Sequence, residues 1–171
     1  MNLPFRSAGS FCGSKLPDAQ AAYETANSLN MGLLAGVNFM LHSCGWLEGG
    51  LVSSFEKFVM DADQLGTLHH IAKGVEIDEN AQAMDAIREV GLGCAHTQAN
   101  FKAAFWKSDL LDYKPFETWE DEGARDTQAL AAIRVEKMLA DYQQPALDPA
   151  ILEALDAYVA QKKAAEPDSF M

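Results

Sequence analysis

The chain has 171 residues, 49% of them hydrophobic, and its 13 Lys plus Arg against 25 Asp plus Glu give a formal net charge of −12. This length and apolar content suffice for a domain with a sizeable core, while so acidic a chain without a basic patch argues against nucleic acid as a partner. The three cysteines form no CxxC pair, no apolar stretch reaches 18 residues and the N-terminus lacks a signal-peptide pattern, so we expect a cytoplasmic protein with no membrane span.

The first predicted unit is a strand, a loop and a helix over residues 3–34. A short strand over residues 3–7 precedes a Gly- and Ser-rich loop, residues 8–14, that a helix cannot accommodate. Pro17 or Asp18 then begins a helix that Gly36 ends. The apolar residues of this helix recur at steps of three and four: Ala22, Tyr23, Ala26, Leu29 and Leu33.

The second predicted unit, residues 37–73, repeats this order. An apolar run at 37–41 predicts a strand, 42–50 a second glycine-bearing loop and 51–73 a long amphipathic helix. The predicted buried face of that helix consists of Leu51, Val52, Phe55, Phe58, Val59, Ala62, Leu65 and Leu68. Two such units in succession favour a parallel sheet or a barrel.

Residues 78–163 predict a mainly helical region. Asp78 caps a helix that carries Val90 and ends at Gly91. A last short strand is expected near residues 92–95, and Thr97 caps a helix through Trp106. An acidic turn at 117–122 follows.

Two further helices close the predicted order. One covers residues 126–142, and the other begins at Asp148-Pro149 with Lys162 and Lys163 at its negative end. Its inward side is predicted to comprise Ile151, Leu152, Leu155, Tyr158 and Val159. Residues 164–171 are expected to form a frayed tail.

The predicted elements belong to the α/β class and amount to an incomplete barrel. Two or three strands and about five helices cannot close an eight-stranded barrel, which needs about 250 residues. We therefore expect a single domain over residues 1–171, either a fragment or a homo-oligomer that covers its open parallel edge.

Candidate chemistry lies in the loops that follow the strands, because the working residues of parallel βα folds sit there. The second loop places His42, Trp46 and Glu48 beside permissive glycines. His42 could be catalytic or a hydrogen-bonded structural residue, and Glu48 could be catalytic or cap the helix that follows. Cys44 is expected to be a small buried residue rather than a nucleophile, since it has no basic sequence neighbour.

Aromatic residues could form a cage for a methylated ammonium, because ring faces attract cations that cannot donate hydrogen bonds. Trp46 is the best candidate, and the others are Phe11, Phe39, Trp106 and Trp119, although aromatic side chains in so apolar a chain are usually core. His96 lies where a barrel-mouth loop would be expected, and an N-terminal capping role competes with a substrate contact. The adjacent His69 and His70 point to different sides of a helix, so no metal site is expected.

Several separated segments resemble the trimethylamine methyltransferase family. They cover nearly the whole chain in the family's order, which makes the resemblance more specific than any single motif. The segments are 13–24, 45–52, 54–59, His96-Thr97 with the later Trp119 and Gly123, and the closing stretch 142–149.

The resemblance implies the C-terminal part of a TIM (β/α)8-type barrel with additional C-terminal helices. Members of the family move a methyl group from a methylated amine to the cobalt of a corrinoid held on a separate small protein. The archaeal trimethylamine enzymes carry pyrrolysine near the position of Phe11, and an ordinary residue here implies a quaternary amine such as glycine betaine. On that analogy Co(I) is the nucleophile, Trp46 holds the cation, with Phe11 and His96 as further substrate contacts, and His42 or Glu48 orients the substrate.

Two other functions remain open. A truncated barrel without an active site would act as an oligomeric module, and the deficit of strands favours it. Alternatively, a barrel enzyme would use His42 and Glu48 as acid and base on an uncharged substrate.

Overall fold

The computed structural model describes residues 3–89 and 91–166, which divide into one compact unit that ends at Met138 and another that begins at Leu139. Within these residues the short strands are β1 (Arg6–Ala8), β2 (Phe39–Leu41), β3 (Trp46–Leu47) and β4 (Val52–Ser53). The helices are α1 (Ala19–Leu34), α2 (Phe55–Lys73), α3 (Glu79–Gln82), α4 (Met84–Glu89), α5 (Ala95–Asn100), α6 (Phe116–Asp121), α7 (Thr127–Asp141) and α8 (Pro149–Ala165).

Strands β1 and β2 pair in parallel, with α1 as the connection between them. The register sets Arg6 opposite Phe39 and Ala8 opposite Leu41. The parallel pairing expected of two βα units is therefore present. Strand β1 extends to residue 8 and begins three residues later than predicted. The eight-stranded barrel stays a prediction.

Helix α1 begins where the sequence predicts, since the Asp18 carboxylate caps it by accepting from the Ala21 backbone N–H. The buried stripe of α1 differs from the apolar pattern. It consists of Ala21, Thr25, Leu29 and Gly32, whereas Tyr23 is exposed. Gly32 leaves room for β2, since a Cβ there would clash with the side chain of Met40, and Thr25 accepts a hydrogen bond from Lys57 of α2.

The predicted start of α2 at residue 51 is wrong. Gly49 and Gly50 have φ values of +63° and +93°, and they reverse the chain so that β4 pairs antiparallel with β3. Helix α2 begins only at Phe55, with the hydroxyl of Ser54 accepting from the Lys57 backbone N–H.

The predicted buried face of α2 is only partly correct. Val59 and Leu68 are buried and Leu65 is half-buried, but Leu51, Val52, Phe55, Phe58 and Ala62 are exposed. Two charged residues, Lys57 and Asp61, are buried in their place. The side of α2 that faces α1 and the loops is therefore polar.

Several predictions after Gly74 are corrected. Asp78 caps as expected, but Ala83 adopts a left-handed conformation (φ +49°) and divides the predicted helix into α3 and α4. Val90 lies outside the described residues. Residues 92–95 form a turn and the start of α5 instead of a strand. Cys94 rather than Thr97 is the N-cap of α5, which ends at Asn100 and not near Trp106.

The remaining helices follow the prediction more closely, except that the acidic turn at 117–122 is helix α6. The Asp126 carboxylate accepts from the Ala129 N–H at the start of α7, and Asp148 caps α8. The predicted inward side of α8 is wrong, because its apolar residues are 44–58% exposed. Residues 164 and 165 are still helical, residue 166 lies in a bend, and residues 167–171 of the predicted tail lie outside the described residues.

Two small clusters of buried apolar residues form the core of the first unit. Cys12, Ala21 and Leu47 join the loop after β1 to α1 and β3. The other joins α2, the segment before α6 and α7 through Val59, Leu110 and Ala131. The first cluster lies directly behind the loops discussed below. Within residues 3–89 and 91–166, no helix has both the length and the apolar character needed to span a membrane.

Candidate functional site

Three of the predicted site residues, Phe11, His42 and Trp46, contact one another and are called the aromatic cluster below. The Phe11 and His42 rings stack with centroids 4.7 Å apart. Trp46 lies 5.7 Å from Phe11 and meets His42 edge-on at 5.5 Å. The cluster therefore joins the loop after β1 to the loop after β2.

Backbone hydrogen bonds bring these two loops together. The Ser10 N–H and hydroxyl both donate to the His42 carbonyl, at 2.8 and 2.9 Å. Two residues later the Cys12 thiol donates to the Trp46 carbonyl at 3.2 Å. Ser10 and Cys12 are buried, so these bonds are shielded from water. The loops therefore continue the parallel pairing of β1 and β2 up to the rings.

A tight turn holds the other side of the cluster. The N–H groups of Glu48 and Gly49 donate to the carbonyls of Ser14 and Cys12, both at 2.8 Å. Gly50 lies so close to Phe11 that a Cβ there would clash with the ring. Glu48 is exposed and does not cap α2, since Ser54 does so; that alternative is wrong.

Two residues of the candidate site have a left-handed backbone conformation, which residues other than glycine seldom adopt. The φ values are +50° at His42 and +49° at Glu48. Such conformations cost roughly 1–3 kcal/mol each and concentrate at binding and active sites. The two predicted catalytic residues are thus also sites of backbone strain.

The aromatic cluster is partly exposed to solvent. Phe11 is 36% exposed, His42 is exposed and Trp46 is half-buried. Because Phe11 and His42 stack directly on each other, a guest cation would lie over the outer ring faces, not between the rings. A cation over such a face is attracted within about 6 Å of the ring centroid.

Cys44 does not supply a nucleophile at this site. Burial raises the pKa of the Cys44 thiol to about 11, and the nearby Asp61 carboxylate adds to that effect. The thiol is therefore neutral near pH 7, which agrees with the prediction that Cys44 is not a nucleophile, although the residue is half-buried rather than buried.

The remaining histidines are not part of the aromatic cluster. His96 lies in α5, where its Nε2 is 2.7 Å from the Asn80 carbonyl oxygen, and no ring contact with the cluster is found in the described part of the chain. His70 stacks on Trp106 at 5.3 Å. Among residues 3–89 and 91–166, no group of three or more His, Cys, Asp or Glu side chains is arranged to hold a metal ion.

A buried ion pair behind the cluster was missed from the sequence. Lys57 and Asp61 are 1% and 3% exposed, and the Lys57 ammonium donates to an Asp61 oxygen at 2.7 Å. The other Asp61 oxygen accepts the Gly45 N–H at 2.8 Å, immediately before Trp46. Their i, i+4 spacing on a helix next to the loop could have predicted the pair. It was missed because charged residues are usually expected to be exposed to solvent.

Comparison with known proteins adds to this geometry. The family model for trimethylamine methyltransferase (MTTB) matches residues 1–167. A glycine betaine methyltransferase of Desulfitobacterium hafniense is 41% identical over 165 residues, which is 94% of this chain and 34% of that protein. Trimethylamine methyltransferases of Methanosarcina mazei and Methanosarcina barkeri are 30% and 31% identical over 92% of the chain, and 32% of each of them is covered. The chain thus spans about a third of the length of these relatives.

Proposed function

The chain belongs to the trimethylamine methyltransferase family, and on that premise we propose that it serves the transfer of a methyl group from a quaternary amine such as glycine betaine to the Co(I) of a corrinoid carried by a partner protein. The observation that carries the proposal is the exposed aromatic cluster where the two loops meet. We further propose that β1, α1 and β2 belong to a (β/α)8-type barrel, since they form the parallel strand-helix-strand arrangement of that fold.

The aromatic cluster suits a quaternary ammonium better than a neutral amine. A trimethylammonium group has no N–H to donate, so it gains little from carbonyls or hydroxyls, but ring faces attract its spread positive charge. Phe11 and Trp46 offer such faces within 5.7 Å of each other. The exposed Glu48 adds a negative charge two residues after Trp46.

The leaving group also favours a quaternary substrate. A quaternary ammonium departs as a neutral amine when its methyl group is displaced, whereas a neutral tertiary amine must first be activated at nitrogen. Phe11 is an ordinary aromatic residue without an activating group. The 41% identity to a protein named glycine betaine methyltransferase is consistent with this choice.

The reduced corrinoid would supply the nucleophile for the methyl group. The residues of the chain fit a corrinoid that arrives on another protein, because Phe11 and His42 are exposed and a methyl group over their outer faces is accessible from outside the chain. Phe11, His42 and Trp46 would hold the ammonium in place and exclude water from one side of it. The His42 imidazole would orient the polar end of the substrate, and the Glu48 carboxylate would balance the charge of the ammonium.

A second candidate function is that of a non-catalytic module that forms homo-oligomers. Large apolar side chains near the parallel strands favour it, with Leu34 79% and Phe39 59% exposed. If these side chains form one contiguous apolar surface, that surface would suit association with a second copy of the chain.

The visible spectrum of Co(I) cobalamin tests the proposed function. The protein is mixed with Co(I) cobalamin and, in separate samples, with glycine betaine, trimethylamine or carnitine. We expect conversion to methyl-Co(III) with glycine betaine or carnitine, a rate at least about tenfold lower in Trp46→Ala, and an unchanged rate in Trp119→Ala. A folded sample that forms no methyl-Co(III) with any of the three amines contradicts the proposal and favours the non-catalytic module.

A further inference from the structure

The Lys57–Asp61 pair is costly for the fold. Removing two charges from water takes several kcal/mol per ion, and apolar replacements of buried pairs are often neutral or stabilising. Both side chains are almost fully buried, and Lys57 is among the largest fully buried side chains in the described residues. Stability alone therefore does not explain why charged residues occupy these positions.

The contacts of Asp61 point toward the aromatic cluster. One of its oxygens accepts the Gly45 N–H at 2.8 Å, and Gly45 directly precedes Trp46. A buried hydrogen bond therefore fixes the backbone immediately before the aromatic cluster. Gly45 has a φ of +83°, and a Cβ there would lie 3.2 Å from the Phe58 Cβ. The glycine thus allows the chain to turn its N–H toward the carboxylate.

The first loop is attached to this arrangement through the second. Burial raises the pKa of the Asp61 carboxyl above its ordinary value, and the hydrogen bonds from Lys57 and the Gly45 N–H offset part of that shift. Ser10 is the residue whose N–H and hydroxyl both donate to the His42 carbonyl. The carboxylate therefore fixes the loop that carries Trp46, and the Ser10 hydrogen bonds attach the loop that carries Phe11 to it.

Lys57 fixes the carboxylate and connects it to α1. Its ammonium donates to Asp61 at 2.7 Å and to the buried Thr25 hydroxyl at 2.8 Å. Thr25 belongs to the buried stripe of α1. Since no buried side-chain polar atom of the described residues lacks a partner, this arrangement holds the second loop against the two helices.

We propose that Asp61, held by Lys57, is a positioning residue that sets the Gly45 backbone and thereby the orientation of the Trp46 ring against Phe11 and His42. This proposal rests on the proposed function only for its effect on ammonium binding; the effect on ring orientation is independent of any substrate.

The test uses 5-fluorotryptophan, since the three tryptophans give three 19F resonances that W→F variants assign. Asp61→Asn removes the charge and keeps the shape. Asp63→Asn is the matched control, because Asp63 lies on the same helix but accepts from the Ser108 hydroxyl. We expect Asp61→Asn to shift or split the Trp46 resonance and to leave those of Trp106 and Trp119 in place, whereas Asp63→Asn leaves the Trp46 resonance unchanged.

Ammonium binding provides the second readout. Tetramethylammonium is titrated against the same labelled proteins, and we expect its dissociation constant to rise about tenfold or more in Asp61→Asn. If Asp61→Asn fails to fold, Lys57→Met/Asp61→Asn replaces it, since that double variant leaves no buried charge unpaired. A folded Asp61 variant with an unshifted Trp46 resonance overturns the proposal. A shifted resonance in a protein that binds no tetramethylammonium in any form upholds the positioning role and contradicts the proposed function instead.

Discussion

The segment up to Gly74 and the helices α3 to α5 are held in different ways. In the first segment, hydrogen bonds join residues more than thirty positions apart, such as Ser10 with His42 and Lys57 with Thr25. In α3 to α5 the side-chain hydrogen bonds span at most twenty positions, and apolar residues such as Leu92 are almost fully exposed. Equivalent substitutions should therefore cost far more in the first segment than in the second.

The largest difference is expected for leucine truncation. Leu29 is fully buried, and Leu29→Ala should lower the free energy of unfolding by about 3 kcal/mol through lost burial and a residual cavity. Leu92 is 93% exposed, and Leu92→Ala should change it by less than about 0.5 kcal/mol. Urea unfolding followed by far-ultraviolet circular dichroism measures both. Equal losses would mean that the two segments are not held differently.

Replacing glycine by alanine compares the backbone of the two segments. Gly45→Ala should destabilise the protein by about 2 kcal/mol, because alanine is strained at a φ of +83° and crowds Phe58. Gly93 has open space around it, so Gly93→Ala should leave stability within about 1 kcal/mol of the parent or raise it. The same urea titration measures both variants. A Gly45→Ala variant as stable as the parent would show that the loop can adopt another low-energy conformation.

A buried hydroxyl is the next test. Ser10→Ala removes the hydroxyl that donates to the His42 carbonyl and should cost about 1 kcal/mol of unfolding free energy. Ser28 is exposed on α1, and Ser28→Ala should have an effect below about 0.5 kcal/mol. Thermal unfolding midpoints of the two variants compare them directly. If Ser28→Ala proves the more harmful, the hydroxyl of Ser10 does not stabilise the loop pairing.

The smallest expected effect concerns two helix caps. Asp18→Ala should lower the urea midpoint at pH 7 more than Asp78→Ala, because Asp18 caps sixteen residues of helix and Asp78 only four. The hydrogen bond from the Ala21 N–H, followed by that from Ser14, lowers the pKa of Asp18 below its ordinary 3.8. A lowered pKa in the folded state means that the stabilisation is present above 3.8 and is lost as the pH falls through the folded value. The difference in urea midpoint between Asp18→Ala and the parent protein should therefore become smaller below pH 4. A difference that does not change with pH would contradict this role of the Asp18 carboxylate.

The elements that sequence alone predicted well are those with local signals. Asp18, Asp78 and Asp148 cap helices where their side chains and the following apolar periodicity indicate. The loops at 8–14 and 42–50 were located by their glycines, and the structure brings Phe11, His42 and Trp46 together across them.

What the sequence did not predict depends on distant partners. The short β3–β4 ladder replaced the start of the predicted helix because a pair of glycines turned the chain back on itself. The Lys57–Asp61 pair was missed because a charged residue is buried only when its partners, here Thr25 and the Gly45 N–H, are supplied by other elements. Apolar periodicity misplaced the buried stripe of α1, since Thr25 is buried against Lys57 of α2 and Gly32 against Met40 of β2.

The most direct test of the account is a calorimetric titration of the protein with choline and with 3,3-dimethylbutan-1-ol, its uncharged carbon analogue. The account predicts that choline binds, that the neutral analogue binds about tenfold more weakly or not at all, and that Trp46→Ala abolishes the difference while Trp119→Ala preserves it. Equal binding of the two ligands, or a preference for choline that survives Trp46→Ala, would contradict a cation site at the aromatic cluster.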